Sequence, residues 1–305
     1  RVALSEQPDR EVLPVTRATT DAEFAAAVAA ADAVIHLAGV NRPQDPADFT
    51  PGNVGFTAHL CDALRAAKRA VPVAFASSIQ SGREHPYGAS KRASEERLQA
   101  HAKETGAPVA IFRLPNVFGK WGRPDYNSAV ATFCHNIARG LPIRIDDPAA
   151  EVRLVYIDDV VAALTRFLSA PPIGVDFPVV APVHAITVGE LARQIRAFGE
   201  ARRSLLTERV GEGLTRALYA TYVSHLPPEA FSYGVPKHGD ERGVFVEMLK
   251  TKDSGQFSFF TAHPGVTRGG HYHHSKTEKF LVIQGRARFR FRHVVTGETH
   301  ELDTD

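Results

Sequence analysis

Short, continuously apolar segments alternate with amphipathic segments over residues 1 to about 170, and this alternation most constrains the fold. We expect strands over 33–37, 71–77 and 109–114, and helices over 56–69 and 88–105. Strands that are apolar at every position, rather than at every second one, are buried on both faces, as in a parallel sheet covered by helices. The pattern predicts a doubly wound α/β fold with βαβαβ order.

The pattern changes towards the C-terminus. Helical periodicity continues over 188–198 and 211–224, and Leu226, Pro227 and Pro228 then mark the best boundary between domains. With 305 residues the chain exceeds the usual single domain of about 100–200 residues. We predict an α/β domain over 1–226 and an all-β domain over 229–305. The predicted strands of the second domain are 243–250, 256–262, 279–284 and 287–295.

Charge and composition exclude several classes of partner. The 36 Lys and Arg residues nearly balance the 34 Asp and Glu residues, and no basic run occurs, so we expect no nucleic-acid or membrane partner. No apolar run approaches the length of a membrane-spanning helix. Two widely separated cysteines fit a reducing compartment, and we expect a cytoplasmic protein. The polar C-terminal run and the non-Met first residue predict a chain cut at both ends.

The first chemical motif is Tyr87-x-x-x-Lys91 at the start of the predicted helix over 88–105. A spacing of four residues puts the phenol and the ammonium group on one face of a helix. We expect the lysine charge to lower the pKa of Tyr87 towards neutral pH. Ser77 and Ser78 end the preceding strand, where a hydroxyl group can hold a substrate carbonyl against the Tyr87 proton.

Three further segments, 31–39, 112–119 and 155–160, accompany this motif. Together the four segments resemble the extended short-chain dehydrogenase/reductase family that acts on nucleotide sugars. The resemblance covers about residues 1–224 and implies a Rossmann fold. The first strand of that family and its Gly-x-x-Gly-x-x-Gly turn have no counterpart here, so we expect this chain to bind a cofactor poorly. The missing segment also leaves the choice between NAD and NADP open.

The resemblance implies roles for nine residues. Ser78, which we favour over Ser77, would act with Tyr87 and Lys91 in proton transfer, and Asn116 would position the sugar nucleotide. The implied cofactor-binding residues are Leu37, Ala38 and Gly39 along the adenosine, Pro115 and Val117 near the nicotinamide, and Tyr87 and Lys91 again.

A second motif, Gly265-x5-His271-x-His273-x4-Glu278-x6-Gly285, matches the first cupin motif at every fixed position. His271 and His273 would project from the same face of one strand. Glu278 would lie on the antiparallel strand next to it, so that the three side chains converge. Two imidazoles and a carboxylate suit a divalent ion such as zinc. The sequence therefore predicts a metal-binding cupin barrel, whose fourth family ligand would lie beyond residue 305.

The same region also resembles the metal-free cupin epimerases of deoxyhexose nucleotides, through the segments 268–272 and 240–247. In those relatives the residue matching His271 is the base that removes a proton next to a ketone, and the arginines matching Arg242 and Arg268 hold the diphosphate. His271 cannot be ligand and base at once, and we favour the ligand role. Asp240 and Arg242 alternatively form only a turn with an ion pair.

The order of the two domains resembles the bifunctional CapF-type enzymes of capsule and O-antigen synthesis. That resemblance implies a homodimer acting on a UDP-linked 4-keto-6-deoxy-2-acetamido-hexose, on the way to N-acetyl-L-fucosamine. The cupin would invert C3, and the reductase domain would reduce the C4 ketone with NADPH. Two alternatives stay open: a non-catalytic sensor of nucleotide and metal, and a nucleotide-sugar 4-epimerase or 4,6-dehydratase.

Overall fold

The computed structural model describes residues 1–305. Its helices are α1 Val2–Ser5, α2 Asp21–Ala30, α3 Phe56–Ala66, α4 Pro86–Thr105, α5 Ala129–Ala138, α6 Ile157–Ser169, α7 Val188–Ser204 and α8 Gly213–Ser224. Its strands are β1 Val34–His36, β2 Val73–Ser78, β3 Val109–Leu114, β4 Asn116–Phe118, β5 Glu151–Tyr156, β6 Val175–Asp176, β7 Val183–Thr187, β8 Leu206–Thr207, β9 His238–Asp240, β10 Gly243–Thr251, β11 Gln256–Phe260, β12 Ala287–Arg292 and β13 Thr299–Thr304. None of the helices combines the length and apolar character needed to cross a bilayer.

The first sheet is parallel and has the strand order β1-β2-β3-β6. Val34 pairs with Val73 in β2, and Ser78 at the end of β2 pairs with Leu114 at the end of β3. The carboxyl ends of β1, β2 and β3 therefore meet at one edge. This arrangement confirms the predicted Rossmann-type fold.

Both faces of this sheet are covered, which explains why its strands are apolar at every position. Val73 and Phe75 pack with α2, α3 and α4 in one buried cluster. Ala74, which lies between them, packs with α6 in another. Because side chains alternate along a strand, a sheet between two helical layers needs an apolar residue at each position.

A second sheet, in the order β4-β5-β7, carries the C-terminal half of this part of the chain. β4 is parallel to β5, and β5 is antiparallel to β7. Helices α5, α7 and α8 enclose the core next to it, with Leu191, Ile195 and Leu218 fully buried. Leu226 is buried in the same cluster.

The chain divides into two compact units. The first comprises Arg1–Lys237 and Val246–Phe259, and the second comprises His238–Phe245 and Phe260–Asp305. The Leu226–Pro228 segment, where the change in composition suggests a boundary, lies within the first unit, and the residues up to Lys237 belong to it as well. The first unit also includes the pairing of β8 with the end of β10.

The second unit contains two pairs of strands. β9 is antiparallel to the first residues of β10, and β12 and β13 form a hairpin. Arg288 of the hairpin pairs with Asp303, and Arg290 pairs with Glu301. These strands do not close into a barrel, so the predicted cupin barrel is not confirmed.

Two local predictions for this unit are wrong. Residues 279–284 form no strand, and His271 and His273 do not lie on one. The apolar run over 279–284 has the composition of a strand, but a strand needs a hydrogen-bonded neighbour, and no strand of the chain pairs with this segment. Leu281 and Ile283 are accordingly exposed.

Gly243, at the start of β10, has a backbone conformation and a close contact that only glycine can accommodate well. Its φ of 132° is unfavourable for other residues, and a Cβ atom there would lie 2.3 Å from the Thr261 carbonyl oxygen. We expect Gly243→Ala to destabilise the second unit by about 2 kcal/mol or more, measured by hydrogen exchange of β9 and β10. Gly239→Ala is the matched control, because its Cβ would meet only Val244 at 3.7 Å. Equal effects of the two substitutions would contradict this account.

Candidate active site

The predicted cofactor and substrate residues follow the carboxyl ends of adjacent parallel strands. Residues 37–39 follow β1, Ser78 ends β2, and residues 115–117 follow β3. In open α/β sheets, ligands bind in the crevice outside these strand ends. The fold therefore gathers residues that are far apart in sequence along one edge.

Helix α4 brings the Tyr-x-x-x-Lys pair to this edge. Its first turn is fixed by His85, whose Nδ1 accepts a hydrogen bond from the Gly88 amide at 3.1 Å, and by Pro86 in the first helical turn. Gly88 packs so closely against the preceding turn that a Cβ atom would lie 2.3 Å from the Gln80 carbonyl oxygen. This close packing puts Tyr87 next to the end of β2.

Tyr87 lies close enough to Ser78 for that side chain to influence its protonation. Burial raises the pKa of the Tyr87 phenol, and the neighbouring Ser78 side chain opposes that rise. The predicted net fall in the pKa of Tyr87 is therefore wrong, because the pKa is raised. Removal of the phenol from water outweighs the other influences, and Tyr87 is a protonated hydroxyl at neutral pH.

Lys91 is a buried cation. Its Nζ donates to the Ala76 carbonyl oxygen at 3.0 Å and lies 4.8 Å from the centre of the Phe75 ring. Burial lowers the pKa of Lys91 to about 8, and the negative charge of Glu95 opposes this shift. The ammonium form thus predominates at pH 7 but is close to its titration range.

The two serines at the end of β2 have different partners. Ser77 Oγ donates to Glu95 Oε1 at 2.5 Å, so its hydroxyl is already engaged. Ser78 contacts Tyr87, and its Oγ accepts a hydrogen bond from the Gln80 amide at 3.2 Å. The structure thus brings Ser78, rather than Ser77, together with Tyr87.

The predicted adenosine residues form an exposed segment beside Lys91. Leu37, Ala38 and Gly39 are all exposed. A Cβ atom at Gly39 would lie 3.2 Å from Lys91 Nζ and 3.1 Å from Asn53 Oδ1. Glycine therefore keeps open the space next to the ammonium group, which fits a bound dinucleotide.

The predicted nicotinamide and sugar residues follow β3, which is separated from β1 by β2 in the parallel sheet. Pro115 and Val117 are partly exposed, and Asn116 is exposed. The Asn116 amide donates to the Arg153 carbonyl oxygen of β5 at 3.2 Å.

Asn53 is a site residue that the sequence did not reveal. Its Oδ1 accepts from the Val40 amide at 2.7 Å, and its Nδ2 donates to the Val40 carbonyl oxygen at 3.2 Å and to Ser90 Oγ at 2.9 Å. Ser90 in turn donates to the Tyr87 carbonyl oxygen at 2.8 Å. Asn53 thereby ties the segment after β1 to α4. It lies in a π-helical turn, Thr50–Gly55, which has no simple sequence signal.

In the second unit, His271, His273 and Glu278 converge although no strand carries them. Their candidate ligand atoms all lie within 4.8 Å of one another. The rings of His271 and His273 are 4.9 Å apart, and His273 Nε2 lies 3.4 Å from Glu278 Oε1. Two ligand atoms of a tetrahedral zinc site lie about 3.4 Å apart. The His273–Glu278 distance matches this value, but ligand atoms separated by as much as 4.8 Å would have to approach by more than 1 Å to hold one ion.

The two predicted diphosphate-binding arginines also lie together. Arg242 Nε donates to Asp240 Oδ2 at 2.9 Å, and Arg268 Nη2 lies 3.6 Å from Asp240 Oδ1. The hydrogen bonds from Arg242 lower the pKa of Asp240. Arg268 Nε is buried without a hydrogen-bond partner, and its guanidinium lies 5.6 Å from the Phe260 ring centre. This pair therefore has unused donor capacity.

Family models match two successive regions of the chain. The NAD dependent epimerase/dehydratase family model matches residues 6–177, and the polysaccharide biosynthesis C-terminal domain model matches residues 238–305. The chain is 56% identical over 302 residues to the UDP-2-acetamido-2,6-beta-L-arabino-hexul-4-ose reductase of Pseudomonas aeruginosa, which covers 99% of this chain and 81% of the relative.

Solved structures with a similar fold include two bacterial proteins. The capsular polysaccharide assembling protein CapF from Staphylococcus aureus superimposes with a TM-score of 0.89 at 39% identity, over 99% of this chain and 82% of CapF. The Bordetella bronchiseptica enzyme WbmF in complex with NAD+ has a TM-score of 0.57 at 20% identity, over 68% of this chain and 76% of WbmF. The second match shows only the shared fold.

The fold and the gathered residues define a Rossmann-type, NAD-dependent enzyme of the dehydrogenase/reductase class. The chain belongs to the NAD dependent epimerase/dehydratase family. The prediction of an enzyme with a nicotinamide cofactor is confirmed at this level.

Removal of the buried Lys91 ammonium group should have opposite effects on stability and on activity. The pKa of Lys91 falls from 10.5 to about 8 on folding, so burial of the charged form opposes folding at pH 7. We expect Lys91→Met to stabilise the fold by about 1–3 kcal/mol at pH 7, measured by denaturant unfolding, while abolishing reduction.

The stability of Lys91→Met should also depend on pH differently from that of the wild type. Between pH 8 and 10.5 the unfolded wild type binds more protons than the folded wild type, so its stability rises with pH. Lys91→Met lacks this rise, and its advantage should shrink as the pH increases. Lys103→Met, at an exposed position of the same helix, should show neither effect. A destabilised Lys91→Met at pH 7 would contradict the account.

Proposed function

We propose that the full-length protein is a bifunctional enzyme of capsule or O-antigen sugar synthesis, on the route to N-acetyl-L-fucosamine. Its substrate is a UDP-linked 4-keto-6-deoxy-2-acetamido-hexose, which it epimerises at C3 and reduces at C4 with NADPH. The grouping of Ser78, Tyr87 and the buried Lys91 where β2 ends carries this proposal. The name of the Pseudomonas aeruginosa relative, a reductase of a UDP-linked hexul-4-ose, supports the substrate class.

For the reduction, each residue has a separate task. Bound NADPH supplies the hydride that the C4 carbon receives. Ser78 donates a hydrogen bond to the ketone oxygen, and Tyr87 donates its proton to that oxygen as negative charge develops there. The raised pKa of Tyr87 keeps this proton available at neutral pH. The Lys91 ammonium lies on the same helix face and stabilises the phenolate left after proton transfer.

The remaining residues along the strand ends bind and orient. Leu37, Ala38 and Gly39 hold the adenosine, Pro115 and Val117 pack near the nicotinamide with Tyr87 and Lys91, and Asn116 positions the sugar nucleotide. The open space beside Gly39 supports the first of these roles, because a larger side chain there would meet Lys91. NAD remains an alternative cofactor to NADPH.

For the epimerisation, we propose a metal-binding, cupin-type second domain over 229–305. His271, His273 and Glu278 would hold a divalent ion such as zinc, which supplies Lewis-acid polarisation of a carbonyl when bound. Arg242 and Arg268 would bind the diphosphate, and the unpartnered Nε of Arg268 supports this role. The base that removes the C3 proton stays unassigned. We also propose a homodimer, for which the exposed side chains of Leu281 and Leu302 are available as apolar contacts.

Two alternatives have less support. A non-catalytic sensor does not need the Ser78–Tyr87–Lys91 arrangement, which is intact here. A simple 4-epimerase or 4,6-dehydratase has no use for the C-terminal domain that matches residues 238–305.

Replacement of Tyr87 by Phe tests the reduction step. The variant loses only the hydroxyl that protonates the C4 oxygen, so we expect the rate of NADPH oxidation to fall about 10²–10⁴-fold. Exchange of the C3 proton with deuterated water, followed by NMR, should stay at the wild-type rate, because it does not need this hydroxyl. Reduction at the wild-type rate would refute the role of Tyr87, and equal loss of both activities would indicate a folding defect.

Replacement of His273 by Ala tests the metal site. Loss of one of three ligands should lower the metal content of the purified full-length protein about 10-fold or more and lower the unfolding temperature of the second unit. His274→Ala is the control, since this neighbour lies outside the ligand cluster. If the wild type contains less than about a tenth of an ion per chain and chelator leaves its stability unchanged, the metal role is wrong and His271 becomes the candidate base.

A further inference from the structure

Glu95 is a buried carboxylate that none of the roles above uses. It lies four residues after Lys91 and eight after Tyr87, so the three side chains occupy successive turns on one face of α4. Its side chain is 1% exposed. A carboxylate this deeply buried needs compensating partners, and the identity of these partners indicates what it does.

The partners of Glu95 come from the ends of two strands. Ser77 of β2 donates to Oε1 at 2.5 Å. Arg113 of β3 donates through Nε to both carboxylate oxygens at 3.1 Å and through Nη2 to Oε2 at 2.6 Å. Ser77 directly precedes Ser78, and Arg113 lies two residues before Pro115. Glu95 therefore joins α4 to the two strand ends that carry the reduction site.

We propose that Glu95, together with Arg113, is a positioning residue of the reduction site. Its carboxylate holds the ends of β2 and β3 against α4 and maintains a negative charge one helical turn from the Lys91 ammonium. Arg113 holds that carboxylate in place and partly neutralises it. This inference rests on the proposed role of Lys91 in reduction.

Glu95 is important because the other groups described around Lys91 are uncharged. At the end of β1, His36 is a neutral imidazole, because burial and then the charge of Lys91 lower its pKa to about 4. From β2, the Phe75 ring and the Ala76 carbonyl contact the ammonium. From α4, Tyr87 is a neutral phenol. Glu95 is the anion among these groups, and its charge favours the ammonium form against desolvation.

Neutralising substitutions of Glu95 and Arg113 should shift the titration of Lys91 in opposite directions. Glu95→Gln preserves the shape of the side chain but removes its charge, so Lys91 should lose its proton at a pH lower by about one unit. Arg113→Gln removes a cation and leaves Glu95 unpaired, so Lys91 should lose its proton at a higher pH. Arg113 is half exposed, which favours a folded variant. Glu96→Gln, an exposed charge neutralisation on the same helix, is the control.

Two measurements test the inference. The Lys91 titration is followed by NMR in the full-length protein with ¹³C-labelled lysine, assigned with Lys91→Arg. The pH profile of kcat for NADPH oxidation is measured with the UDP-4-keto sugar. We expect the alkaline fall of kcat to move in the same direction as the Lys91 titration, with kcat at pH 7.5 lowered about 3-fold in Glu95→Gln because a one-unit shift leaves about a third as much ammonium form. Glu95→Asp should recover part of this loss.

The outcomes separate this inference from the proposed function. If Lys91 titrates as in the wild type in both Glu95→Gln and Arg113→Gln, the inference is wrong and the pair is only structural. If Glu95→Gln does not fold, an upward shift in Arg113→Gln supports the inference, and no shift overturns it. If the titrations shift in opposite directions while the wild type oxidises no NADPH with the sugar, the proposed reductase activity fails and the electrostatic role of Glu95 stands.

Discussion

The burial of the Lys91 ammonium at the carboxyl edge of the parallel sheet is the interaction on which the site depends. A cation removed from water is unfavourable unless polar groups replace its hydration. Here the Ala76 carbonyl oxygen, the Phe75 ring and the charge of Glu95 provide that replacement, and the first two require α4 to pack closely against β2. The packing of one helix on one sheet thus fixes both the position and the protonation of the lysine.

That packing is maintained by small residues and buried polar groups. Gly88 allows the start of α4 to approach the preceding turn, and Gly39 leaves space beside the ammonium. Asn53 links the segment after β1 to Ser90, and Glu95 links the ends of β2 and β3 to the same helix. Each of these contacts joins elements that are distant in sequence. The site is therefore a product of tertiary packing, whereas the Tyr87–Lys91 spacing is a property of the helix alone.

This distinction explains what the sequence could predict. The bounds of β3 are those expected from its apolar run, and the spacing of Tyr87 and Lys91 identified the helix face, because both signals are local. Asn53 and the Glu95–Arg113 pair were missed, since nothing in the local sequence indicates that a polar residue is buried. The pKa of Tyr87 was predicted in the wrong direction because desolvation depends on burial, which a spacing does not reveal.

In the second unit, too, the sequence predicted one feature correctly and missed one that depends on tertiary contacts. The spacing of His271, His273 and Glu278 predicted that their side chains converge, and they do, but without the strands expected to carry them. A strand forms only where another strand accepts its hydrogen bonds, and the apolar run over 279–284 has no such neighbour in the chain. Ligand convergence and strand pairing are therefore separate predictions that need separate tests.

The central claim is that the edge of the parallel sheet performs a net reduction of the sugar. The most direct test is to incubate the full-length protein with the UDP-4-keto sugar and NADPH deuterated at the transferred position of the nicotinamide. The account predicts a product with one deuterium at C4, found by NMR and mass spectrometry, and oxidation of one NADPH for each product molecule. A product without deuterium, formed while NADPH is not consumed, would contradict the account and indicate an internal oxidation and reduction of the kind a 4-epimerase performs.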